Sequence, residues 1–236
     1  MVISLRNQTA LVVGASSGIG RATAVLLARE GVRVMASARR AERLRALEEF
    51  GIATCVADAA VPGDAVRVAE AARARFGEID VLVYAAGTNS PDRSMQRITP
   101  QVWDASISVN LSGAFHATQA VLPGMRERGT GHLIYIASIS AMVPDVSGAA
   151  YQAAKRGLLG MAHAIRLEEK ERGIRTCVIC PGLVDTEMLN LRPVKTPAET
   201  VAKALQPEDV AEVVVAVARL HPRVCVPEMQ VLPTLL

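Results

Sequence analysis

The chain has 236 residues, of which 50% are hydrophobic and 3% aromatic, and its formal net charge is +3 at pH 7. This length predicts one α/β domain whose core needs no disulfide or metal support. Scattered basic residues and few aromatics argue against a nucleic-acid surface, and the lack of an 18-residue apolar run argues against a membrane partner.

The N-terminus and the cysteines indicate the compartment. The opening stretch MVISLRNQTALVVG lacks the features of a signal peptide and is predicted to lead into the first strand. Cys177 and Cys180 form one CxxC within an apolar run, which indicates two buried strand thiols rather than a redox or metal site. We expect free thiols, no metal and a cytoplasmic location.

Apolar runs alternate with helical patterns along the chain. Strands are predicted at 9–14, 32–37, 52–57, 80–86, 132–138, 175–180 and 228–233. Helices are predicted at 18–30, 40–50, 62–76, 100–128, 150–172 and 207–221, and glycines at 31, 51, 77, 131 and 173 are expected to end helices. Residues 183–206 are predicted to form a mobile substrate loop with short helical pieces. The pattern predicts a single doubly wound Rossmann domain over 1–236, with a parallel sheet of about seven strands and helices on both faces.

The segment LVVGASSGIGRA follows the first strand and opens a helix. Gly14 permits a tight turn, Gly18 permits close approach of a pyrophosphate, and Gly20 permits close packing of helix and strand. Ser16 and Ser17 add hydroxyl donors. A small-residue turn without a ligand is the alternative, but the strand–turn–helix context favours a bound nucleotide.

The spacing G-x-x-x-G-x-G is the one found in short-chain dehydrogenases/reductases, and the sequence resembles the classical branch of that family over nearly its whole length. Together the turn and the resemblance predict a set of positions that contact the cofactor. They are Gly14, Ser16, Ser17, Gly18, Ile19, Gly20, Ser37, Arg39, Arg40, Asp58, Ala86, Gly87, Tyr151, Lys155, Pro181, Gly182, Val184 and Thr186.

The end of the second strand indicates which nicotinamide cofactor is used. NAD-binding units commonly place a carboxylate there, whereas this chain has Arg39 and Arg40. We therefore expect NADP(H) rather than NAD(H), with Arg39 as the main contact to the 2′-phosphate and with Arg40 and Ser37 as lesser ones. Two solvated arginines at a helix start are the alternative.

Two further segments match the family in part. Asp58 stands at the position that binds the adenine amino group, although a plain N-cap for the next helix is an almost equal explanation. In YAAG, Ala86 and Gly87 match the family, but Tyr84 and Ala85 replace the amides that help to tie the sheet together. The backbone there must be satisfied in another way.

The stretch YQAAK puts Tyr151 and Lys155 at i and i+4, on one face of a helix. The resemblance assigns them, with Asn110 and Ser138, to the catalytic tetrad of the family. It implies that Tyr151 is the general acid/base, that Lys155 lowers its pKa and holds the ribose, that Ser138 binds the substrate oxygen, and that Asn110 anchors a water relay.

A Tyr–Lys pair at this spacing often reflects only packing beside a solvated charge. The chain, however, has 22 arginines and 4 lysines, so Lys155 is an uncommon choice for a basic position. After the sixth strand, Pro181 and Gly182 are expected to turn beside the nicotinamide, where the resemblance gives Thr186 the carboxamide and Val184 a backbone contact.

The substrate pocket is expected to be lined by 88–98, by 139–148 and by the loop from Leu183. Its apolar wall is predicted from four residues, Met142, Val143, Met188 and Leu189. Arg93 or Arg192 would suit an acidic substrate, with surface solvation as the alternative. The ending EMQVLPT is similar to that of family members acting on small hydroxy acids and aldehydes.

In the family, the helices at 100–128 and 150–172 pair subunits, so the resemblance implies a homodimer or homotetramer. Residues compatible with that surface, or with the sheet, are Ala114, Phe115, Leu122, Leu158 and Met161. The function predicted is an NADP(H)-dependent oxidoreductase that interconverts a carbonyl and an alcohol on a small substrate. The alternatives are an NAD(H)-dependent alcohol dehydrogenase, a non-catalytic nucleotide-binding or sensing protein, and dehydration or epimerisation on the same fold.

Overall fold

The computed structural model describes residues 2–236, and its centre is one parallel sheet. The seven strands are β1 Thr9–Val13, β2 Arg33–Ala38, β3 Ala53–Val56, β4 Val81–Tyr84, β5 Gly131–Ile136, β6 Ile174–Pro181 and β7 Glu228–Val231. They lie in the order β3-β2-β1-β4-β5-β6-β7. Because β1 has β2 on one side and β4 on the other, the strand order reverses at β1, and a crevice opens there at the carboxyl ends of the strands.

Eight α-helices connect and flank the strands. They are α1 Gly18–Arg29, α2 Ala41–Arg45, α3 Pro62–Phe76, α4 Pro100–Ile107, α5 Gly113–Arg128, α6 Ala149–Glu169, α7 Ala198–Val201 and α8 Pro207–Ala218. Short 3₁₀-helices follow α2, β5, α6 and β6. None of the helices within 2–236 is both long enough and apolar enough to cross a membrane.

Two apolar cores lie on opposite faces of the sheet, as expected for strands covered on both sides. Side chains alternate along β1, so Val12 packs in one core with α1 and α8, while Leu11 packs in the other with α3, α5 and α6. The doubly wound architecture predicted from the sequence is therefore confirmed. Cys177 and Cys180 are free and buried in β6, as predicted.

The predicted helix at 100–128 is interrupted. α4 ends at Ile107, a π-helix spans Ser108–Ser112, and α5 starts at Gly113. Single π-turns of this kind are rare and are frequent at functional sites. The prediction for Gly131 was wrong: it begins β5, and Gly129, with φ 65°, ends α5.

The helical residues considered for subunit pairing separate into two groups. Ala114, Leu122 and Leu158 are buried against the sheet, so they face the core of this chain. Phe115 is 47% exposed on α5. Met161 is partly buried and packs against the same core, so of the five residues only Phe115 offers a large outward apolar surface.

Candidate active site

A cavity of about 500 Å³ occupies the crevice at the carboxyl ends of β1, β4, β5 and β6. It brings together every predicted site position except Ser37 and Asn110. The predicted residues that line it are Gly14, Ser16, Ser17, Gly18, Ile19, Gly20, Arg39, Arg40, Asp58, Ala86, Gly87, Ser138, Tyr151, Lys155, Pro181, Gly182, Val184 and Thr186. No group of three or more His, Cys, Asp or Glu side chains in residues 2–236 is arranged to hold a metal ion.

The glycine-rich turn is packed so tightly that side chains cannot enter it. A Cβ on Gly14, where φ is +91°, would overlap the backbone of Ala86, and a Cβ on Gly20 would overlap the carbonyl of Gly14. The turn thus draws β1, α1 and the end of β4 together. This contact explains why both positions are glycine, independently of any ligand.

The N-terminus of α1 is open toward the cavity. The N-cap residue is Ser17, and its side chain makes no capping hydrogen bond. The first-turn N–H groups of this 12-residue helix therefore have no side-chain acceptor, and the helix dipole adds positive potential. This end fits the pyrophosphate of a dinucleotide.

Arg40 is held against the glycine-rich turn. Its Nε and Nη2 donate to Ser16 Oγ at 3.1 and 2.9 Å, and Nη2 also donates to Ser17 Oγ at 2.5 Å. Arg39 has a 68% exposed side chain, 3.8 Å from Asp58 Oδ2. The structure thus orders Arg40 more firmly than Arg39, the reverse of the predicted ranking. Ser37 is buried behind the turn, where its carbonyl accepts from Gly14 N at 2.8 Å.

The carboxylate of Glu187, in the loop after β6, lies at the end of the cavity that Arg40 lines. Arg40 Nη1 donates to Glu187 Oε2 at 2.7 Å, and Arg43 donates to Glu187 Oε1. These two arginines hold the pKa of Glu187 below its usual range. No sequence pattern predicted this bridge, since its partners lie 147 and 144 residues apart.

Asp58 is not the N-cap of α3, so that alternative was wrong. α3 starts at Pro62, and its N-cap is Val61. The Asp58 carboxylate instead accepts from Ala60 N at 2.9 Å and lines the cavity.

Tyr151 and Lys155 lie on the cavity face of α6 and are 7% and 3% exposed. Lys155 Nζ donates to the carbonyl of Ile136, at the end of β5, at 2.9 Å, and lies 5.7 Å from the centre of the Tyr151 ring. The Tyr151 hydroxyl lies 4.0 Å from Met188 Sδ. α6 therefore presents a phenol and an ammonium to the same space.

Burial has the largest effect on the pKa of Tyr151 and on the pKa of Lys155. It raises the pKa of Tyr151 to about 12, while a hydrogen bond with Ser138 lowers that pKa, Asp145 raises it and Arg93 lowers it. Burial also lowers the pKa of Lys155 to about 8. The expected lowering of the Tyr151 pKa is thus not reached by the chain alone, because desolvation outweighs the nearby positive charges.

Ser138 begins a polar network that the sequence did not predict. Its hydroxyl lies 3.1 Å from Ser140 Oγ, which donates to Asp145 Oδ2 at 2.5 Å. Asp145 also accepts from Ser147 N at 2.8 Å. Because Ser140 directs its proton to Asp145, Ser138 can donate either to Ser140 or toward the cavity.

Asn110 lies in the π-helix, fully buried beside the cavity. Its Nδ2 donates to Thr88 O at 2.9 Å and to Ser106 O at 2.8 Å, and its Oδ1 accepts from Thr88 N at 3.1 Å. The side chain therefore ties the π-helix to the segment after β4. Tyr84 supplies a second tie, because its hydroxyl donates to Val109 O at 2.5 Å.

The substrate end of the cavity differs in part from the predicted wall. Met188 and Leu189 line it. Met142 instead packs against the core beneath α6, and Val143 is 45% exposed, so neither lines the cavity. Arg93 and Arg192 do line it.

The strand order, the open helix N-terminus behind a glycine-rich turn and the buried Tyr–Lys pair define a Rossmann-type oxidoreductase. The profile of the family described as short chain dehydrogenase matches residues 8–196. The chain belongs to the short-chain dehydrogenase/reductase family, as the motifs predicted.

Individual relatives agree with this assignment. An acetoacetyl-CoA reductase of Rhizobium meliloti is 36% identical over 220 residues, which cover 90% of this chain and 91% of that protein. A D-beta-hydroxybutyrate dehydrogenase of Cupriavidus necator is 34% identical over 191 residues, covering 78% and 74%. The closed form of a serine dehydrogenase complexed with NADP+ superposes with a TM-score of 0.88 at 31% identity, covering 95% and 94%.

Proposed function

We propose that the protein is an NADP(H)-dependent oxidoreductase that interconverts a carbonyl and an alcohol on a small substrate, with Tyr151 as the acid/base. The observation that carries the proposal is the continuity of one cavity. It runs from Arg40 and the open end of α1 to Tyr151 and Lys155. A similar serine dehydrogenase was solved in complex with NADP+, which supports the proposed cofactor. The similar acetoacetyl-CoA reductase is named for a reduction, which supports the proposed reaction.

The charge at the adenosine end favours the phosphorylated cofactor. Arg39 and Arg40 line that end, whereas Asp58 is already paired with Arg39. A 2′-phosphate accepts charge-assisted hydrogen bonds from guanidinium groups. Arg40, oriented by Ser16 and Ser17, is the main contact in this proposal, and Arg39 closes over the phosphate from the exposed side.

At the other end, the chain provides a proton donor, the hydroxyl of Tyr151, whose residue is 7% exposed. When bound, NADPH supplies the hydride that adds to the carbonyl carbon. Tyr151 is neutral at pH 7 because burial raises its pKa, so its hydroxyl gives its proton to the carbonyl oxygen. Ser138 donates a hydrogen bond to that oxygen, and Lys155 holds a positive charge beside the phenolate that remains.

The test is an absorbance screen of reduced nicotinamide across ketones, aldehydes, hydroxy acids and sugars, with NADP(H) and NAD(H) in parallel. We expect turnover that prefers NADP(H). Tyr151→Phe should lower the rate about 10²- to 10⁴-fold, in the range of general acid/base catalysis, while cofactor binding measured by fluorescence is retained. Retained turnover in Tyr151→Phe would show that Tyr151 is not the acid/base. Cofactor binding by the wild-type protein without any turnover would favour a sensing protein.

We also propose that the protein is a homodimer or homotetramer paired through the outer faces of α4, α5 and α6. Trp103, Phe115 and Leu167 are exposed on these helices, at 39%, 47% and 57%. Large apolar side chains of this kind are enriched at subunit interfaces. Sedimentation equilibrium tests the proposal, and a monomeric mass contradicts it.

A further inference from the structure

Two arginines line the cavity that holds Tyr151, and neither pairs with a carboxylate in the part of the chain that the structure describes. Arg93 follows β4, and Arg192 follows the 3₁₀-helix Glu187–Leu191. None of the ion pairs formed within residues 2–236 includes either guanidinium. The Nε atom of Arg93 is buried and has no hydrogen-bond partner there. A buried donor of this kind is costly unless something else satisfies it.

The backbone of Arg93 is held against the helix that carries Tyr151. Gly148 is the N-cap of α6, three residues before Tyr151, and has a φ of +91°. A Cβ on Gly148 would overlap both the Cβ and the carbonyl oxygen of Arg93. Packing against Gly148 therefore fixes the backbone of Arg93 beside α6.

The positive charge at this end of the cavity is not neutralised. Burial and the charge of Arg192 both lower the pKa of Arg93, which indicates two guanidinium groups close together in a partly desolvated space. Asp145 also lines the cavity and opposes this effect, but one carboxylate offsets only one of the two guanidinium charges, so this end of the cavity keeps a net positive charge.

The positive charge of Arg93 also acts on Tyr151, the proposed acid/base. The charge of Arg93 lowers the pKa of Tyr151. Arg93 and Tyr151 line the same cavity, and Arg93 packs against the N-cap of the helix that carries Tyr151, so an anion held by Arg93 would share that cavity with a carbonyl group at the Tyr151 hydroxyl.

We infer that Arg93 binds a carboxylate of the substrate, with Arg192 as the second contact, so that the substrate is a small oxo acid or hydroxy acid rather than a neutral ketone or alcohol. The planar fork of a guanidinium matches the two oxygens of a carboxylate. The cavity of about 500 Å³ also has to hold the dinucleotide, which favours a small acid. This inference rests on the proposed function.

The test compares acids with their neutral esters, using acetoacetate against methyl acetoacetate and pyruvate against methyl pyruvate, each with NADPH. We expect the wild-type protein to have the higher kcat/KM for the acid of at least one pair. Arg93→Met should lower the acid-to-ester ratio of kcat/KM by roughly 10- to 100-fold, mainly through KM, because a contact remote from the reacting atoms contributes to binding.

The matched control is Arg97→Met. Arg97 lies on the same segment, is exposed, pairs with Asp92 at 3.8 Å and does not line the cavity. It should leave the ratio within about twofold of wild type. Where Arg93→Met does not fold, Arg93→Lys and Arg192→Met take its place, each with a smaller loss of the ratio.

A binding measurement separates this inference from the proposed function. Malonate, against sodium chloride of equal ionic strength, should raise the thermal unfolding midpoint of wild type but not of the folded Arg93 variant. Malonate stabilisation without turnover of any carbonyl would support the carboxylate site and contradict the oxidoreductase. Equal turnover of acids and esters by wild type, or equal losses for both in Arg93→Met, would overturn the inference.

Discussion

The hydroxyl of Tyr84, at the end of β4, donates a hydrogen bond of 2.5 Å to the carbonyl of Val109 in the π-helix Ser108–Ser112. Tyr84 stands where the family usually has an amide, and its hydroxyl satisfies a carbonyl of the π-helix, while the backbone N–H of Ala85 donates to Val13 O at 2.8 Å. The tyrosine also affects the start of α5, because a Cβ on Gly113 would overlap the Tyr84 hydroxyl. Tyr84 and the backbone of Ala59 together exclude a side chain at the residue that opens α5, and Tyr84 also supports the π-helix that carries Asn110.

Tyr84→Phe should therefore destabilise the protein and also impair turnover. Removing the hydroxyl takes this donor from the part-buried Val109 carbonyl, which costs about 0.5–1.5 kcal/mol. The loosened π-helix should lower kcat, because Asn110 loses its orientation. Urea unfolding and steady-state kinetics measure the two effects.

The matched control is Tyr135→Phe. Tyr135 is equally buried, and its hydroxyl lies 2.8 Å from Thr118 Oγ1, but it does not line the cavity. Tyr84 does not line the cavity either, so the difference between the two lies in the bonded element, which is α5 for Tyr135 and the π-helix that carries Asn110 for Tyr84. Tyr135→Phe should lose similar stability with little change in kcat. Equal kinetic losses in the two variants would show that the effect of Tyr84 is one of general stability.

Arg40→Ala should discriminate between the cofactors. Loss of its guanidinium should lower kcat/KM with NADPH by about 10- to 100-fold and with NADH far less, since only NADPH carries the 2′-phosphate. Arg45→Ala, on the same helix and exposed, is the control. Equal losses with both cofactors would instead mean that Arg40 acts only by bracing Ser16 and Glu187.

Lys155 should make the stability of the cofactor-free protein rise with pH. Its folded pKa of about 8 lies below the ordinary value of 10.5, so between these pH values the unfolded chain binds the extra proton. Stability should then rise by up to about 1.4 kcal/mol per pH unit through this group.

Other buried groups act in the opposite sense. Burial raises the pKa of Cys177 to about 12 and of Cys180 to about 11, so both thiols lower the stability as the pH rises above 9. The difference in unfolding free energy between wild type and Lys155→Met, followed from pH 7.5 to 10, isolates the lysine. A difference that does not change with pH would mean that Lys155 has an ordinary pKa.

The buried carboxylate of Glu169 should control acid stability. It ends α6 with a 2% exposed side chain, and it accepts from Arg126 Nε at 3.0 Å and from Arg172 Nη1 at 3.2 Å. These arginines hold its pKa below the usual range. The resulting stability is present above the unfolded pKa and is lost as the pH falls through the folded one.

Arg126→Met should cost about 3 kcal/mol at pH 7, because it leaves the Glu169 carboxylate buried with one partner fewer. Arg29→Met, at an exposed position near the end of α1, should change stability by less than about 0.5 kcal/mol. Glu169→Gln should flatten the acid limb of the unfolding curve. An unchanged acid limb would show that Glu169 titrates normally.

The sheet, most of the helices and the motif positions that line the cavity could all be predicted from the amino-acid sequence. Those features depend on local periodicity and on residues at short spacings, such as Gly14 with Gly20 or Tyr151 with Lys155. Each of these patterns lies within a single segment of the chain, so it can be predicted before the fold is known.

The pairing of charged and polar side chains from distant segments became visible only in the folded chain. The bridge from Arg40 to Glu187, the network from Ser138 to Asp145 and the position of Arg93 against Gly148 join separate loops. The net pKa of Tyr151 likewise depends on burial, which outweighs the charges that the motif predicts. The physical reason is that desolvation and pairing of charges depend on how distant segments pack, and no local spacing encodes that.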